Sequence, residues 1–352
     1  MDYTLRLAKA VQLLEKLDAE ALLIDDPTNL LYLTGMELSA GKLLISSQAS
    51  VLIVDGRYFE SCGMQQTLYP VLKLQPDALK NWLKAHSIHS LAFDSDKTSY
   101  QAFLNLKAIT DSLSMHLTPT ASPLNSLRLV KDLNEIQCLK EAALLCHQGY
   151  RAIAEHLREG VSEEELAMEL EIFWKLKGAK KVSFDPIIAF GANSSMPHYR
   201  AGKTKLQRNT SVLIDIGVTL SHYNSDMTRV IFFGEPVAEI QKIHTIVSKA
   251  QAKALELCKP GTLVGELDQA ARGWITEQGY GEFFTHSLGH GVGLDIHEAP
   301  LIRTNSPQAQ LPLEEGMVIT IEPGIYLPGL GGIRLEDTLL ITSTGYENLT
   351  GV

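Results

Sequence analysis

The chain has 352 residues, 45% of them hydrophobic, enough for one large core or two ordinary domains. Its formal net charge of −10, with no basic run, excludes the concentrated Lys/Arg that a nucleic-acid partner requires. No apolar stretch reaches membrane-spanning length, and Met1-Asp2-Tyr3-Thr4 runs straight into an amphipathic pattern without a signal-peptide core, so a cytoplasmic protein with no membrane partner is expected.

In the first part, helix-like and strand-like patterns alternate. Leu7, Val11 and Leu14 fall at helical spacing, and Ala21–Ile24 reads as a short strand. Residues 30–33, 42–45 and 51–54 continue as strands, then 76–85 and 100–111 read as helices around a strand at 91–93. Such alternation predicts an α/β domain with a largely sequential sheet over residues 1–122, closed by the proline-marked run Thr118-Pro119-Thr120-Ala121-Ser122-Pro123.

A second domain, residues 128–352, has a different grammar. Asp132 with Glu135, and Ser162 with Glu165, resemble capping boxes opening helices at 133–157 and 163–177. Strands follow at 183–190, 211–219, 228–233, 318–326 and 334–341, interrupted by helices at 239–257 and 264–278. Strands around antiparallel turns with helices to one side predict an α+β domain. Cys62, Cys138, Cys146 and Cys258 are scattered, with no CxxC, as reduced thiols would be.

The chemistry concentrates in this second domain. Asp215 stands inside the apolar run Val212-Leu213-Ile214-Asp215-Ile216, and Asp226 precedes another apolar strand eleven residues later. Glu322 and Glu336 repeat the pattern in Ile319-Thr320-Ile321-Glu322-Pro323 and Ile333-Arg334-Leu335-Glu336. A buried carboxylate is costly unless it is paired, hydrogen-bonded or bound to metal. The segment from Thr285 to Glu298 adds His286, His290 and His297, with glycines that let backbone approach a ligand closely. Four buried carboxylates and one histidine form the ligand set of a two-metal hydrolase. His86, His89, His116, His147, His156 and His244 lie in surface-like or helical patterns without acidic companions, and the run Glu163-Glu164-Glu165 fits a helix N-terminus with no metal role.

In order and context, Asp215, Asp226, His290, Glu322 and Glu336 resemble the five metal ligands of the pita-bread metallopeptidases. The strings Asn193-Ser194-Ser195-Met196-Pro197-His198-Tyr199, Glu322-Pro323-Gly324-Ile325-Tyr326 and Gly332-Ile333-Arg334-Leu335-Glu336-Asp337-Thr338 resemble the Xaa-Pro aminopeptidase and prolidase branch more narrowly. The resemblance implies an N-terminal creatinase-like α/β domain that caps the entrance, followed by a pita-bread catalytic domain. It implies two divalent ions bridged by Asp226 and Glu336, one completed by Asp215, the other by His290 and Glu322. Mn²⁺ suits this oxygen-rich set best, with Co²⁺ or Zn²⁺ as substitutes. A metal-bridging hydroxide would then attack the bond between a first residue and proline. Glu322 is expected to shuttle its proton, His198, His286 and His297 to contact substrate or support the proton network, and Tyr326 and Arg334 to hold carboxylates and intermediate.

Two activities fit the resemblance: an Xaa-Pro aminopeptidase acting on longer peptides, and a prolidase acting on dipeptides. Leu301 stands where some prolidases carry arginine, with Arg303 two residues on, which favours the aminopeptidase. A catalytically silent peptide-binding relative is a third reading, disfavoured by the intact ligand set. His222 stands where relatives often have glycine, and a homodimer is implied.

Overall fold

The computed structural model describes residues 1–65 and 68–351. Residues 66 and 67, within the expected first domain, and residue 352, at the end of the second, lie outside that description. Two compact units divide between Arg128 and Leu129.

The first unit is a six-stranded mixed sheet with the order Val71–Lys73, Ser50–Val54, Lys42–Ser46, Ala21–Ile24, Ser90–Asp94, His116–Thr120. Its core sets Leu23, Leu44, Ile53, Leu91 and Phe93 from the strands against Leu79, Trp82, Leu83 and Leu106 from the helices. The run at 30–33 is helix rather than the expected strand, as part of Pro27–Thr34. Asp26 caps the Asn29 amide at 3.0 Å, Pro27 sits at the first helical position, and Gly35 closes the helix at φ 74°. These end signals decide a short apolar run that periodicity leaves ambiguous. The helix Asn125–Arg128 belongs to this unit, because Tyr32 donates to the Leu127 carbonyl and Arg128 to Asn29 Oδ1.

In the second unit, two helix pairs back antiparallel sheets. Leu133–Glu155 and Glu163–Leu176, both opened by the expected capping boxes, pack Leu145, Cys146, Leu166, Leu170 and Trp174 onto strands Ile187–Phe190, Thr210–Ile216 and Met227–Phe233. Ala238–Leu255 and Val264–Glu277 pack Ile243, Val247, Leu267 and Ile275 onto a five-stranded sheet containing Gly289–Gly291, Val318–Ile321 and Asp337–Ile341.

Three long strands expected from the sequence are each broken in two. Residues 211–219 split at Gly217 into Thr210–Ile216 and Val218–Leu220, which join different sheets, while of the expected 183–190 only Ile187–Phe190 is strand. Residues 318–326 split at Pro323, which has no N–H to continue a ladder, so Val318–Ile321 and Gly324–Leu327 join different sheets. Residues 334–341 split likewise into Gly331–Arg334 and Asp337–Ile341, and the Glu336 amide turns aside to the Thr228 carbonyl. Glu322 and Glu336 therefore sit at strand breaks, where one sheet hands over to another.

Asp226 is delivered by a tight hairpin. Leu220 pairs with Tyr223, leaving Ser221 and His222 as a two-residue turn with φ 49° and 74°. Both lie in the left-handed region that a primed turn requires, a region that strains most side chains by about 1–2 kcal/mol. Asn tolerates this conformation, so Ser221→Asn is expected to raise stability by about 0.5–1 kcal/mol. An unchanged or lowered unfolding midpoint in denaturant would contradict that reading of the turn.

Candidate metal centre

Strand register brings the acids together. Asp215 pairs with Ile187 on one side and Thr228 on the other, and Thr228 forms a bridge to Glu336. Asp226 stands just before Met227–Phe233, its carbonyl accepting from Thr338 Oγ1 at 2.8 Å. From the other sheet comes His290, in Gly289–Gly291, beside Val318–Ile321 and hence beside Glu322. Only glycine fits around His290: a Cβ on Gly289 would lie 2.0 Å from the Thr320 carbonyl oxygen, and one on Gly291 2.0 Å from that of Ala299.

Asp226, His290 and Glu336, all buried, each offer one ligand atom, and these atoms lie within 4.8 Å of one another. His290 Nε2 is 3.6 Å from Asp226 Oδ2 and 3.4 Å from Glu322 Oε1. Its Nδ1 lies 3.0 Å from the Gly291 carbonyl. A carbonyl can only accept, so Nδ1 carries the proton and Nε2 turns a lone pair toward the acids. Burial first, and His297 second, depress the His290 pKa to about 4, which keeps that ring neutral. Asp215 joins through Arg334 Nη2, which donates to its Oδ2, while its buried Oδ1 has no hydrogen-bond partner.

The electrostatics are severe. Burial, and then the charge of Glu336, push Asp226 and Glu322 well above the carboxylate range. Burial and then Asp215 raise Glu336 to about 8. Among the described residues, Arg334 is the one guanidinium bonded to a side-chain carboxylate of this cluster. An orphaned carboxylate oxygen, a neutral imidazole lone pair and crowded acids form a donor set that divalent cations fit.

Around the acids runs a second set of contacts. Arg334 Nη1 donates to Tyr326 Oη at 2.8 Å, and that hydroxyl lies 2.8 Å from His286 Nε2. His286 Nδ1 is 2.7 Å from the Ser287 carbonyl and carries the proton, so the tyrosine donates to Nε2. Burial first and Arg334 second depress the His286 pKa to about 3, and burial raises Tyr326 to about 12. The His297 ring meets His290 edge-on, centroids 4.4 Å apart. Its pKa is lowered, by desolvation and then by the proximity of His198. His198 itself is exposed, just beyond the 3-10 turn Gly191–Ser195. All ten residues anticipated from the sequence thus fall in one neighbourhood.

Three threonines were not anticipated. Thr228 donates to Glu336 Oε2 at 2.7 Å and accepts from Arg334 Nε, Thr320 accepts from the His290 amide, and Thr338 holds Asp226. Each stands two residues from an acid (Asp226, Glu322, Glu336), the spacing that shares one face of an extended chain. That spacing was the available signal. Among the other histidines, His89 and His156 do meet acids, Glu20 at 3.4 Å and Glu169 at 2.6 Å, because the fold brings these partners onto the surface beside them.

Residues 137–343 match the profile of Metallopeptidase family M24, and residues 6–130 that of the Creatinase/Prolidase N-terminal domain. The chain belongs to metallopeptidase family M24. Within the family, it is 38% identical to an Xaa-Pro dipeptidase of Pyrococcus horikoshii, covering 98% of this chain and 96% of that one. An Xaa-Pro dipeptidase from Bacillus anthracis superposes with a TM-score of 0.94 at 35% identity, covering 100% of this chain and 98% of that one. An X-Pro aminopeptidase from Thermotoga maritima gives 0.86 at 34% identity, covering 97% and 98%. The creatinase-like domain followed by a pita-bread catalytic domain is the architecture of this M24 chain.

Charge crowding makes a linkage prediction. The site histidines His286, His290 and His297 have lowered pKa values, so their contribution is flat once an ordinary imidazole has lost its proton above about pH 7.5, and the carboxylates set the sign there. The folded pKa of Glu336, about 8, exceeds its unfolded value, so its contribution is full at low pH and lost as pH rises through about 8. Chelator-treated protein is expected to lose thermal stability between roughly pH 7.5 and 9, and saturating Mn²⁺ to restore more at the upper end. Melting curves that are flat across this range, or unmoved by Mn²⁺, would contradict the reading.

Proposed function

We propose that this chain is an exopeptidase that hydrolyses the bond between an N-terminal residue and proline, with Asp215, Asp226, His290, Glu322 and Glu336 holding two divalent ions. The observation that carries the proposal is the convergence of Asp226, His290 and Glu336, with the His290 Nε2 lone pair directed at the carboxylates. Mn²⁺ suits the set best, with Co²⁺ or Zn²⁺ able to replace it. When bound, such a pair supplies an acidified water and Lewis-acid polarisation of the scissile carbonyl.

The side chains do the remainder. Glu322, raised by burial, is poised to accept and pass on a proton. Arg334 and Tyr326 fix each other, so the tyrosine hydroxyl and His286 keep one orientation as charge develops at the substrate. His198 and His297 flank the acids, and His198 is the group that protonates the prolyl nitrogen as it leaves. A tertiary amide has no N–H to be read by a strand-like site, so a dedicated proton donor suits this bond.

The balance between the two activities moves toward the dipeptide. Relatives matched over nearly their whole length carry the name Xaa-Pro dipeptidase, which favours a prolidase over the aminopeptidase that Leu301 suggests. Arg303, exposed one residue beyond strand Glu298–Ile302, is the candidate clamp for the proline carboxylate. The site residues, two functional domains (expected at 1–122 and 128–352, with the compact units dividing after Arg128), a cytoplasmic location and a homodimer are part of the same proposal. The four unpaired cysteines support that location, three of them buried thiols.

A matched pair, an Xaa-Pro dipeptide and an Xaa-Pro-Yaa tripeptide, should be assayed with Mn²⁺ and with a chelated control. The dipeptide is expected to be cleaved in a Mn²⁺-dependent manner, with the tripeptide slower. Preference for the tripeptide would restore the aminopeptidase. Cleavage of neither by metal-loaded protein would contradict proline specificity.

A further inference from the structure

In sequence, Glu163 is one acid of an acidic first turn in the helix Glu163–Leu176. Such a residue ordinarily faces solvent, and Glu164 does. Glu163 instead has 0% exposure. Its carboxylate is turned inward and saturated by donors from one segment, residues 190–202. Oε1 accepts from the Phe190 amide at 2.8 Å and Asn193 Nδ2 at 2.9 Å. Oε2 accepts from Tyr199 Oη at 2.7 Å and the Gly202 amide at 3.1 Å. Four donors supply what a cation otherwise would for a buried carboxylate.

These donors bracket His198. Asn193 lies five residues before it and Tyr199 one after, and Asn193 Nδ2 also meets Tyr199 Oη at 2.9 Å and Thr204 Oγ1 at 3.0 Å. The segment is anchored on a second side: Ser194 Oγ accepts from the Gly332 amide at 2.8 Å, in the strand that carries Arg334. Between the two anchors His198 projects as an exposed side chain, close enough to His286 and His297 to affect both electrostatically. Apart from one 3-10 turn, the segment from Gly191 to Gly202 has no regular structure of its own.

We propose that Glu163 is a positioning residue for catalysis, its buried carboxylate fixing segment 190–202 so that His198 meets the scissile amide. This deepens the proposed function and rests on its assignment of His198. A displacement of about 1 Å at a reacting group can lower a rate by up to about 100-fold, so an unanchored loop would act on turnover before it acted on folding.

Glu163→Gln preserves shape but turns an NH₂ toward one donor pair. Tyr199 can rotate its hydroxyl to accept, whereas the Phe190 and Gly202 amides cannot, so at least one contact opposes two donors. Tyr199→Phe removes one donor and carries the test if Glu163→Gln fails to fold. Both are compared with wild type, alone and in a His198→Ala background, by kcat/KM on the Xaa-Pro substrate, bound Mn²⁺, and amide exchange over 190–202. Glu163→Gln is expected to lower kcat/KM by about 10–100-fold with Mn²⁺ content unchanged and exchange accelerated, and to have no further effect once His198 is alanine. Tyr199→Phe should show the same pattern more weakly. A change below about 2-fold in active protein, or losses that multiply with His198→Ala, would overturn the proposal for Glu163 alone. Wild-type protein that binds Mn²⁺ yet cleaves no Xaa-Pro bond would instead overturn the substrate reading on which it rests.

Discussion

Mutual repulsion among buried carboxylates is the constraint on which this catalytic domain is built. Asp215, Asp226, Glu322 and Glu336 share a region from which water is largely excluded, and Arg334 is the guanidinium that bonds into it. Burial first, and the charge of neighbouring acids second, drive Asp226, Glu322 and Glu336 toward their neutral forms. What makes the arrangement stable is an external positive charge together with a shell that leaves the acids no freedom to separate. The threonines supply part of that shell, and backbone register supplies the rest.

The surrounding fold serves this purpose by placing the acids at discontinuities. A carboxylate in an uninterrupted strand faces either the core or solvent, with its neighbours fixed by the two-residue period. At Pro323, and again between Arg334 and Asp337, a strand leaves one sheet for another, and the glutamate beside each break reaches a residue of another strand, Glu322 toward His290 and Glu336 to Thr228. Two apolar helix pairs hold those sheets from behind, so the polar centre is carried on a hydrophobic scaffold. Glycines flanking His290 let its strand approach closely enough to bring imidazole to the same point.

Much of this was legible in the sequence because a buried acid in an apolar run is a local contradiction that demands a partner. Asp215, Asp226, Glu322 and Glu336 stood out in that way, and His286, His290 and His297 by their glycine-rich segment, whereas His198, Tyr326 and Arg334 were marked by the family resemblance; the capping boxes at Asp132 and Ser162 marked helix starts that the structure contains. Other features depend on partners far away in the chain. Nothing local separates Glu163 from Glu164, and only the return of residues 190–202 over the helix start buries one and leaves the other in solvent. Residues 30–33 were ambiguous for a different reason: four apolar residues fit either period, and the decisive signals, Asp26, Pro27 and Gly35, lie outside the run.

Family membership and geometry converge on a metal-dependent peptidase whose clustered acids lie at or beside strand breaks. The central claim is that the five ligands hold two ions rather than one. It is tested most directly by titrating chelator-treated protein with Mn²⁺, counting bound ions per chain and recording the electron paramagnetic resonance spectrum. Two equivalents with a spin-coupled signal, reduced to one or none by Asp226→Ala, are predicted. A single uncoupled ion in the wild type, or two ions retained in Asp226→Ala, would contradict the account.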